Sequence, residues 1–303
     1  SEMCIRDRTL PDGRTYYNNS EGDLHTTWTD KGQTRSWSHK LSKSFLDDKL
    51  KVYFSYSNTD ARDVFGAGSS TQGSNYGKYA TCNNQFYPNL CTKPSLWGRD
   101  ERMVGTLDYT AEIFGAENPT RFYLFWKRES GRRFSYTYDT NLIGDGYRDE
   151  RDLWYVPTGP GDPLVSFSDD TGDAFYAFVD RYLSSYKGQV APANGFMAPW
   201  ITRTDLKVTQ ELALPEGSFF GDTKAELFLD IYNLGNLLDE DNGQIYDAGY
   251  LGVTKSMDAE VVNGAYVYSN FDDGHLRYRN GARSVSYTHL RAHETKANLV
   301  CRL

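Results

Sequence analysis

The amino-acid sequence predicts an all-β protein whose strands form part of an antiparallel β-barrel. Aromatic residues are abundant, apolar and polar residues alternate along segments of about ten residues, and short turns alternate with long polar loops. The chain has 23 tyrosines, whereas hydrophobic residues make up only 39% of it. This composition suits a barrel wall with one apolar and one wet face, and it also suits a tyrosine-rich β-sandwich.

The strongest alternation lies in segment 224–232. Its apolar residues share one face of a strand: Ala225, Leu227, Leu229 and Ile231. Its charged residues share the other face: Lys224, Glu226 and Asp230. In a sandwich the polar face meets outside water, and in a barrel it meets a wet lumen, so the alternation fits both.

The connections favour the barrel over the sandwich. Asp47 and Asp48, residues 116–119 and residues 215–218 form short turns, whereas residues 61–100 and 138–200 are long polar loops. Loops of that length are uncommon in compact soluble domains, and long loops on one side are typical of outer-membrane barrels. We therefore predict about seven or eight strands of a larger outer-membrane barrel with long extracellular loops.

One short helix is predicted in the second long loop. Asp170 or Thr171 caps it and Gly188 ends it. Its apolar stripe consists of Phe175, Phe178, Val179, Tyr182 and Tyr186. The favoured interpretation is a surface that packs on the loop and the barrel rim, and the alternative is a lid that contacts substrate.

Both ends of the chain read as translated adapters from sequencing libraries. Residues 3–8 match a transposon end, and residues 285–303 match its reverse complement followed by an adapter. We therefore divide the chain into an adapter-derived segment 1–8, a barrel segment 9–284 and an adapter-derived segment 285–303. This division removes Cys4 and Cys301, and it leaves Cys82 and Cys91 as the natural cysteines.

Several functional classes are excluded by what the sequence lacks. No apolar run approaches the ~18 residues of a membrane-spanning helix. The formal net charge of −8 argues against a nucleic-acid partner, and leaving out the two ends makes the charge more negative. No nucleophile elbow, zinc-protease, Walker or dinucleotide motif occurs, and Asp169, Asp170 and Asp173 lie in a solvated loop, so we predict no enzyme.

Two candidate sites remain, together with one basic cluster. Cys82 and Cys91 flank a short polar stretch, and an oxidising exterior favours a disulfide between them. Asp139, Asn141 and Asp145 resemble a stretched calcium loop, with an Asx- and Gly-rich turn as the competing interpretation. The cluster is Arg128, Arg132 and Arg133; it suits lipopolysaccharide phosphates or an anionic substrate, and a solvated strand end is the commoner interpretation.

Seven stretches, in this order and spacing, resemble the Oar-like TonB-dependent receptors over residues 33–283. They are residues 41–45, 130–138, 152–159, 186–192, 198–200, 203–207 and 224–238. The resemblance implies a barrel of about 22 strands that is filled by an N-terminal plug. It also implies the outer membrane of a Gram-negative bacterium, energy from the TonB system, and contact with outer-membrane lipids and lipopolysaccharide.

The predicted function is energised uptake, or export, of a bulky substrate, with no cofactor apart from the calcium considered above. Because the plug and the TonB-contacting segment would precede this chain, we expect it to be a C-terminal fragment. Its open strand edges would leave backbone groups unsatisfied in lipid, so we expect that it does not span a membrane alone. One alternative is a passive outer-membrane barrel or surface adhesin. The other is a secreted carbohydrate-binding β-sandwich.

Overall fold

Strands dominate the computed structural model, which describes residues 6–18, 29–64, 92–142, 152–213, 224–238, 245–248, 252–273, 277–278 and 287–294. The all-β prediction is confirmed. In chain order the strands are β1 (Arg6–Thr9), β2 (Thr15–Asn18), β3 (Gln33–Phe45), β4 (Leu50–Asp63), β5 (Lys93–Pro94), β6 (Glu101–Ala111), β7 (Thr120–Glu129), β8 (Arg133–Thr137), β9 (Tyr155–Val156), β10 (Val165–Phe167), β11 (Gln189–Val190), β12 (Phe196–Met197), β13 (Ile201–Ala213), β14 (Lys224–Tyr232), β15 (Tyr246–Asp247), β16 (Val253–Lys255), β17 (Asp258–Val262), β18 (Ala265–Ser269), β19 (Arg277–Tyr278) and β20 (Tyr287–Glu294).

The main sheet is an open antiparallel meander of long strands in the order β3-β4-β6-β7-β13-β14-β20, with β5 paired to the end of β4. The predicted turn at Asp47 and Asp48 closes β3 onto β4, and positive φ angles of 50° and 66° at these residues provide the tight reversal. Residues 112–119 close β6 onto β7. The predicted turn at 215–218 lies outside the described residues.

Cross-strand register places apolar residues side by side on one face of the sheet. One row runs Val52, Leu107, Leu124, Leu206 and Ile231 across consecutive strands. These side chains stand on the solvent side of the sheet, and Leu107 is 38% exposed. Further along the same face Leu41 is 71% exposed. The face is therefore largely apolar and open, with Lys43 and His39 as polar residues of β3 within it.

Among the described residues, the connections that follow β7 and β14 leave the sheet at the same end and, with residues 9–14, form a separate layer, which we call the cap. It comprises residues 9–14, 130–142, 152–200 and 252–273, and it contains three small sheets, β12-β8-β16, β11-β9 and β10-β18-β17. Its core consists largely of buried aromatic residues: Phe134, Tyr136, Tyr138, Trp154, Tyr155, Phe175, Phe178, Tyr266, Tyr268 and Phe271. Residues 138–200 were predicted to be a long polar loop, and their described part is instead packed into this core.

The predicted loop helix is present and lies in the cap. It begins as α1 (Gly172–Phe178), widens into a π-helix over Val179–Leu183 and tightens into a 3₁₀ turn over Ser184–Tyr186. Gly188 follows with a φ of +75°, as expected of a residue that ends a helix. The predicted stripe is buried at Phe175, Phe178 and Val179, whereas Tyr182 faces solvent and Leu183 is buried in its place.

A second short helix, α2 (Leu234–Leu238), follows β14, where the sequence predicted one helix only. It occupies the end of the stretch 224–238, which carries part of the family resemblance. Among the described residues, no helix combines the length and the apolar character that a membrane crossing requires.

Candidate functional site

The polar face of the main sheet is concave and holds two adjoining depressions near the short turns. The larger has a volume of about 490 Å³ and the smaller about 300 Å³. Lys51, Asp108 and Tyr123 line both, so the two form one groove that runs across the strands. The groove is lined by six neighbouring strands, because strand alternation sends every second side chain of each to this side.

Charges on this face are paired along and across the strands. Arg121 donates to both carboxylate oxygens of Asp108 on the neighbouring strand. Further pairs link Lys127 to Glu129 at 3.1 Å and Arg203 to Asp205 at 2.8 Å. Lys207 instead lies 4.5 Å from the ring centroid of Phe228. The face is thus strongly polar and close to neutral, which suits contact with water and polar groups of either sign.

The opposite, apolar face carries aromatic residues towards the cap. Trp37 packs edge-on against Tyr56 with 5.3 Å between ring centroids, and the Tyr56 hydroxyl donates to Glu101 at 2.6 Å. Across the sheet, the Arg128 guanidinium lies 5.1 Å from the centroid of the Trp200 ring. Amphipathic rings of this kind are typical of the boundary between an apolar and an aqueous medium.

A network of tyrosine hydroxyls joins the chain segments of the cap. The Tyr138 and Tyr268 hydroxyls lie 2.9 Å apart, and Tyr268 also donates to the Tyr155 carbonyl at 2.9 Å. The Tyr155 amide donates to the Tyr138 hydroxyl at 2.9 Å. Burial raises the pKa of Tyr138 and Tyr268 well above the usual tyrosine value, so both stay neutral and act as hydrogen-bonding groups.

Asp162 anchors the cap loop that follows β9. Its carboxylate accepts hydrogen bonds from the Thr158 amide at 2.8 Å, the Leu164 amide at 2.9 Å and the Tyr155 hydroxyl at 3.0 Å. Burial alone would raise the pKa of this carboxyl, but the hydrogen bonds outweigh burial and hold the pKa below its usual range. Burial, with help from Asp162, raises the pKa of Tyr155 to about 12. The group is a structural anchor, not an acid–base pair facing a cavity.

The structure describes two of the three residues predicted to bind calcium. Asp139 Oδ1 lies 3.3 Å from Lys255 Nζ, so an ammonium occupies one side of the carboxylate. Asn141 is half-buried beside it, and Asp145 lies outside the described residues. Within the described ranges, no three acidic, histidine or cysteine side chains gather as a metal site. Cys82 and Cys91 also lie outside the described residues, so the disulfide stays a prediction.

The three arginines of the predicted basic cluster diverge. Arg133 makes an ion pair with Asp100 and also donates to the Asn194 carbonyl at 3.3 Å. Arg128 points to the apolar side of the sheet, and Arg132 lies in the connection into the cap. Asp169 accepts hydrogen bonds from the Thr171 hydroxyl and the Asn270 amide, each at 2.6 Å, so it ties the turn before the helix to the end of β18.

Sequence reasoning missed Arg14 and Lys93. Arg14 is buried, pairs with Asp12 at 2.7 Å and donates to the Tyr266 hydroxyl at 3.4 Å. Lys93 is 3% exposed at the junction of β5 with β4, and burial lowers its pKa to about 8 despite the nearby Asp63. Lys93 stands in the predicted polar loop 61–100, and no element was predicted around Arg14; long-range packing buries both. The density of tyrosines around residues 134–155 was the available signal for a cap core.

A search of known protein families, of curated proteins and of solved structures returned no match to this chain.

Proposed function

We propose that the main sheet is part of the wall of an outer-membrane β-barrel, and that it belongs to a TonB-dependent receptor that moves a bulky substrate across the membrane. The observation that carries the proposal is the division of one sheet into an open, largely apolar face and a charged face that holds a groove. A soluble β-sandwich buries its apolar face against a second sheet. Here Leu41, Phe54 and Leu107 are 71%, 41% and 38% exposed.

The height of the apolar face supports a bilayer as its environment. Trp37 and Phe45 lie eight residues apart on β3 and mark two ends of the apolar face. Eight residues extend ~27 Å along a strand, which corresponds to ~20 Å of membrane depth at the usual barrel tilt of about 40°. That depth approaches the ~25 Å apolar band of outer-membrane barrels.

The connections support an orientation. The short turns at 46–49 and 112–119 lie at one end of the strands, and the cap lies at the other. In outer-membrane barrels short turns face the periplasm and long loops face outward. We therefore place the cap outside the cell and the polar face towards the lumen. The receptor assignment itself rests on the resemblance described for residues 33–283.

Two adjacent residues of β6 provide the sharpest test of the membrane proposal. Leu107 points to the apolar face and Thr106 to the polar face. In flotation with phosphatidylcholine vesicles, we expect the refolded chain to associate with the vesicles through its apolar face, although a fragment with open edges does not span the bilayer alone. Leu107→Arg should weaken that association by ~30-fold or more, because a cation on a lipid face costs about 2–4 kcal/mol. Thr106→Arg should change it less than ~3-fold, a difference of about 0.6 kcal/mol.

Equal effects of the two substitutions, or a wild-type chain that stays in the aqueous phase, would contradict the membrane proposal. The receptor assignment has a separate test, which is long-read sequencing of the locus in the source DNA. An upstream plug, with a terminal aromatic strand in place of residues 285–303, supports a receptor. A reading frame that starts and stops near residues 9 and 284 would rule it out and favour a small secreted β protein.

A further inference from the structure

Arg128 occupies an unusual place on the main sheet. It is exposed on β7, and its register partners are Met103 on β6 and Thr202 on β13. These positions belong to the apolar face, because they continue the alternation that places Leu124 and Leu206 there. A permanently charged side chain therefore stands at the cap end of a largely apolar surface, where Glu101, Asp60 and Arg62 are also charged.

Other arginines at this end of the sheet have partners within the chain. Arg133 pairs with Asp100, Arg62 pairs with Asp60 at 3.2 Å, and Arg99 donates to the Ser130 carbonyl at 3.1 Å. Across the described ranges, no carboxylate forms an ion pair with Arg128. The carboxylate of Glu101 stands on the same face and accepts the Tyr56 hydroxyl at 2.6 Å.

The contact that Arg128 does make leaves its donors available. Its guanidinium carbon lies 5.1 Å from the centroid of the Trp200 ring. Contact with an aromatic ring uses the π-system and the charge of the group, and not its N–H edges. A guanidinium held in this way presents a planar fork of donors that matches a phosphate. The hydroxyl of Thr202, directly across the strand pair, is a further donor on the same face.

We infer that Arg128, held against Trp200 and flanked by Thr202, binds the phosphate of an anionic lipid headgroup at the outer rim of the sheet. This inference rests on the proposed membrane orientation of the main sheet and goes beyond it by assigning a lipid site. The occupant is a lipid because the site lies on the face opposite the polar groove. Met103 and Trp126 lie on the same face for acyl-chain contact while the phosphate meets the guanidinium.

The test uses the chain folded in zwitterionic detergent micelles and titrated with lipid A that carries two phosphates. The readout is the fluorescence of Trp200, isolated by subtracting the signal of Trp200→Phe. We expect Arg128→Gln to weaken lipid A binding about tenfold, and Arg128→Lys to weaken it less, because lysine keeps the charge and loses the fork. Lipid A without phosphates should bind the wild type weakly, with an affinity similar to that of Arg128→Gln for complete lipid A.

Arg62→Gln is the matched control, since Arg62 is also exposed near this end of the apolar face but is already paired with Asp60. It should leave lipid A affinity within about twofold of wild type. Binding by Arg128→Gln within twofold of wild type would overturn the inference. So would an equal fluorescence change with inorganic phosphate alone, which would mark a site for soluble anions.

The lipid site and the membrane proposal fail in different ways. Circular dichroism of each variant confirms that the strands are formed before the titration. A wild-type chain that does not float with vesicles overturns the membrane proposal. A chain that floats while Arg128→Gln keeps full lipid A affinity overturns the lipid site alone.

Discussion

The cap and the main sheet use apolar residues in opposite ways. In the cap, Trp154, Phe175 and Tyr268 are completely buried among other rings. In the sheet, Leu41 and Phe54 are 71% and 41% exposed although they belong to a regular apolar face. The cap therefore has a core that the hydrophobic effect stabilises in water. The sheet instead presents an apolar face whose contact with water is unfavourable and whose contact with an apolar medium is favourable.

The largest expected effect is on the cap core. Trp154 contacts the rings of Tyr136 at 4.9 Å and Phe175 at 5.8 Å between centroids. Trp154→Ala should lower the free energy of cap unfolding by about 3–5 kcal/mol, because it leaves a cavity among packed rings. Urea unfolding followed by near-ultraviolet circular dichroism measures this change. Leu107→Ala on the open sheet face is the control, and a comparable loss there in aqueous buffer would break the distinction between the two regions.

Asp162 provides the next largest effect and a pH signature. Asp162→Asn should destabilise the cap by about 1–3 kcal/mol, since a neutral amide replaces a carboxylate that accepts several hydrogen bonds. Because the folded pKa is depressed, the contribution of this carboxylate is present above the unfolded pKa of about 3.9 and is lost as pH falls through the folded pKa.

Unfolding measured at pH 7 and at a series of pH values below 4 tests this assignment. The stability difference between wild type and Asp162→Asn should shrink as the carboxylate of the wild type becomes protonated. A difference that stays constant through the acid range would show that the carboxylate is not the anchor.

Lys93 lies at the junction of the cap and the main sheet, and its titration tests whether that junction is buried. Its folded pKa of about 8 lies below the ordinary value of 10.5, so the unfolded chain binds more protons between these values. The free energy of unfolding should therefore rise as pH increases from about 8 to about 10.5. Lys93→Met should remove this rise, and subtracting its pH profile from that of wild type cancels the tyrosine titrations common to both.

The smallest effect is expected at the short turns of the sheet. Lys49 and Glu112 form an ion pair at 2.9 Å, with side chains 47% and 46% exposed. Because solvent and salt screen such a pair, Lys49→Gln should change stability less than any substitution above. A loss of stability as large as that of Asp162→Asn, measured by the same urea unfolding, would mean that the Lys49–Glu112 pair is shielded from solvent and not half-exposed.

Much of the main sheet follows from the sequence. Alternation in segment 224–232 predicted β14 with its two faces, and Asp47 and Asp48 predicted the turn between β3 and β4. These features are local, because alternation and turn chemistry depend on residues close together in the chain. The loop helix was likewise predicted from its stripe, although Tyr182 faces solvent and Leu183 is buried in its place.

The cap could not be derived in the same way. Tyr138 meets Tyr268, a contact between residues 130 positions apart, and Arg14 reaches Tyr266 across 252 positions. No periodicity within a short segment encodes such contacts, so residues 138–200 were read as polar loop. The basic cluster shows the same limit. Arg128 lies near the end of β7 and contacts the Trp200 ring, whereas Arg133 begins β8 and pairs with Asp100, although the two are only five residues apart.

The sequence by itself determined the all-β class, the alternating faces of the long strands and the end of the strands at which short turns occur. Each of these depends on the two-residue repeat of a strand or on the conformation of a few adjacent residues. Only the tertiary structure decided that the long connections fold into a cap with an aromatic core, that Lys93 is buried, and that Arg128 stands on the apolar face. Those outcomes depend on packing and register between segments far apart in the chain, which local patterns do not specify.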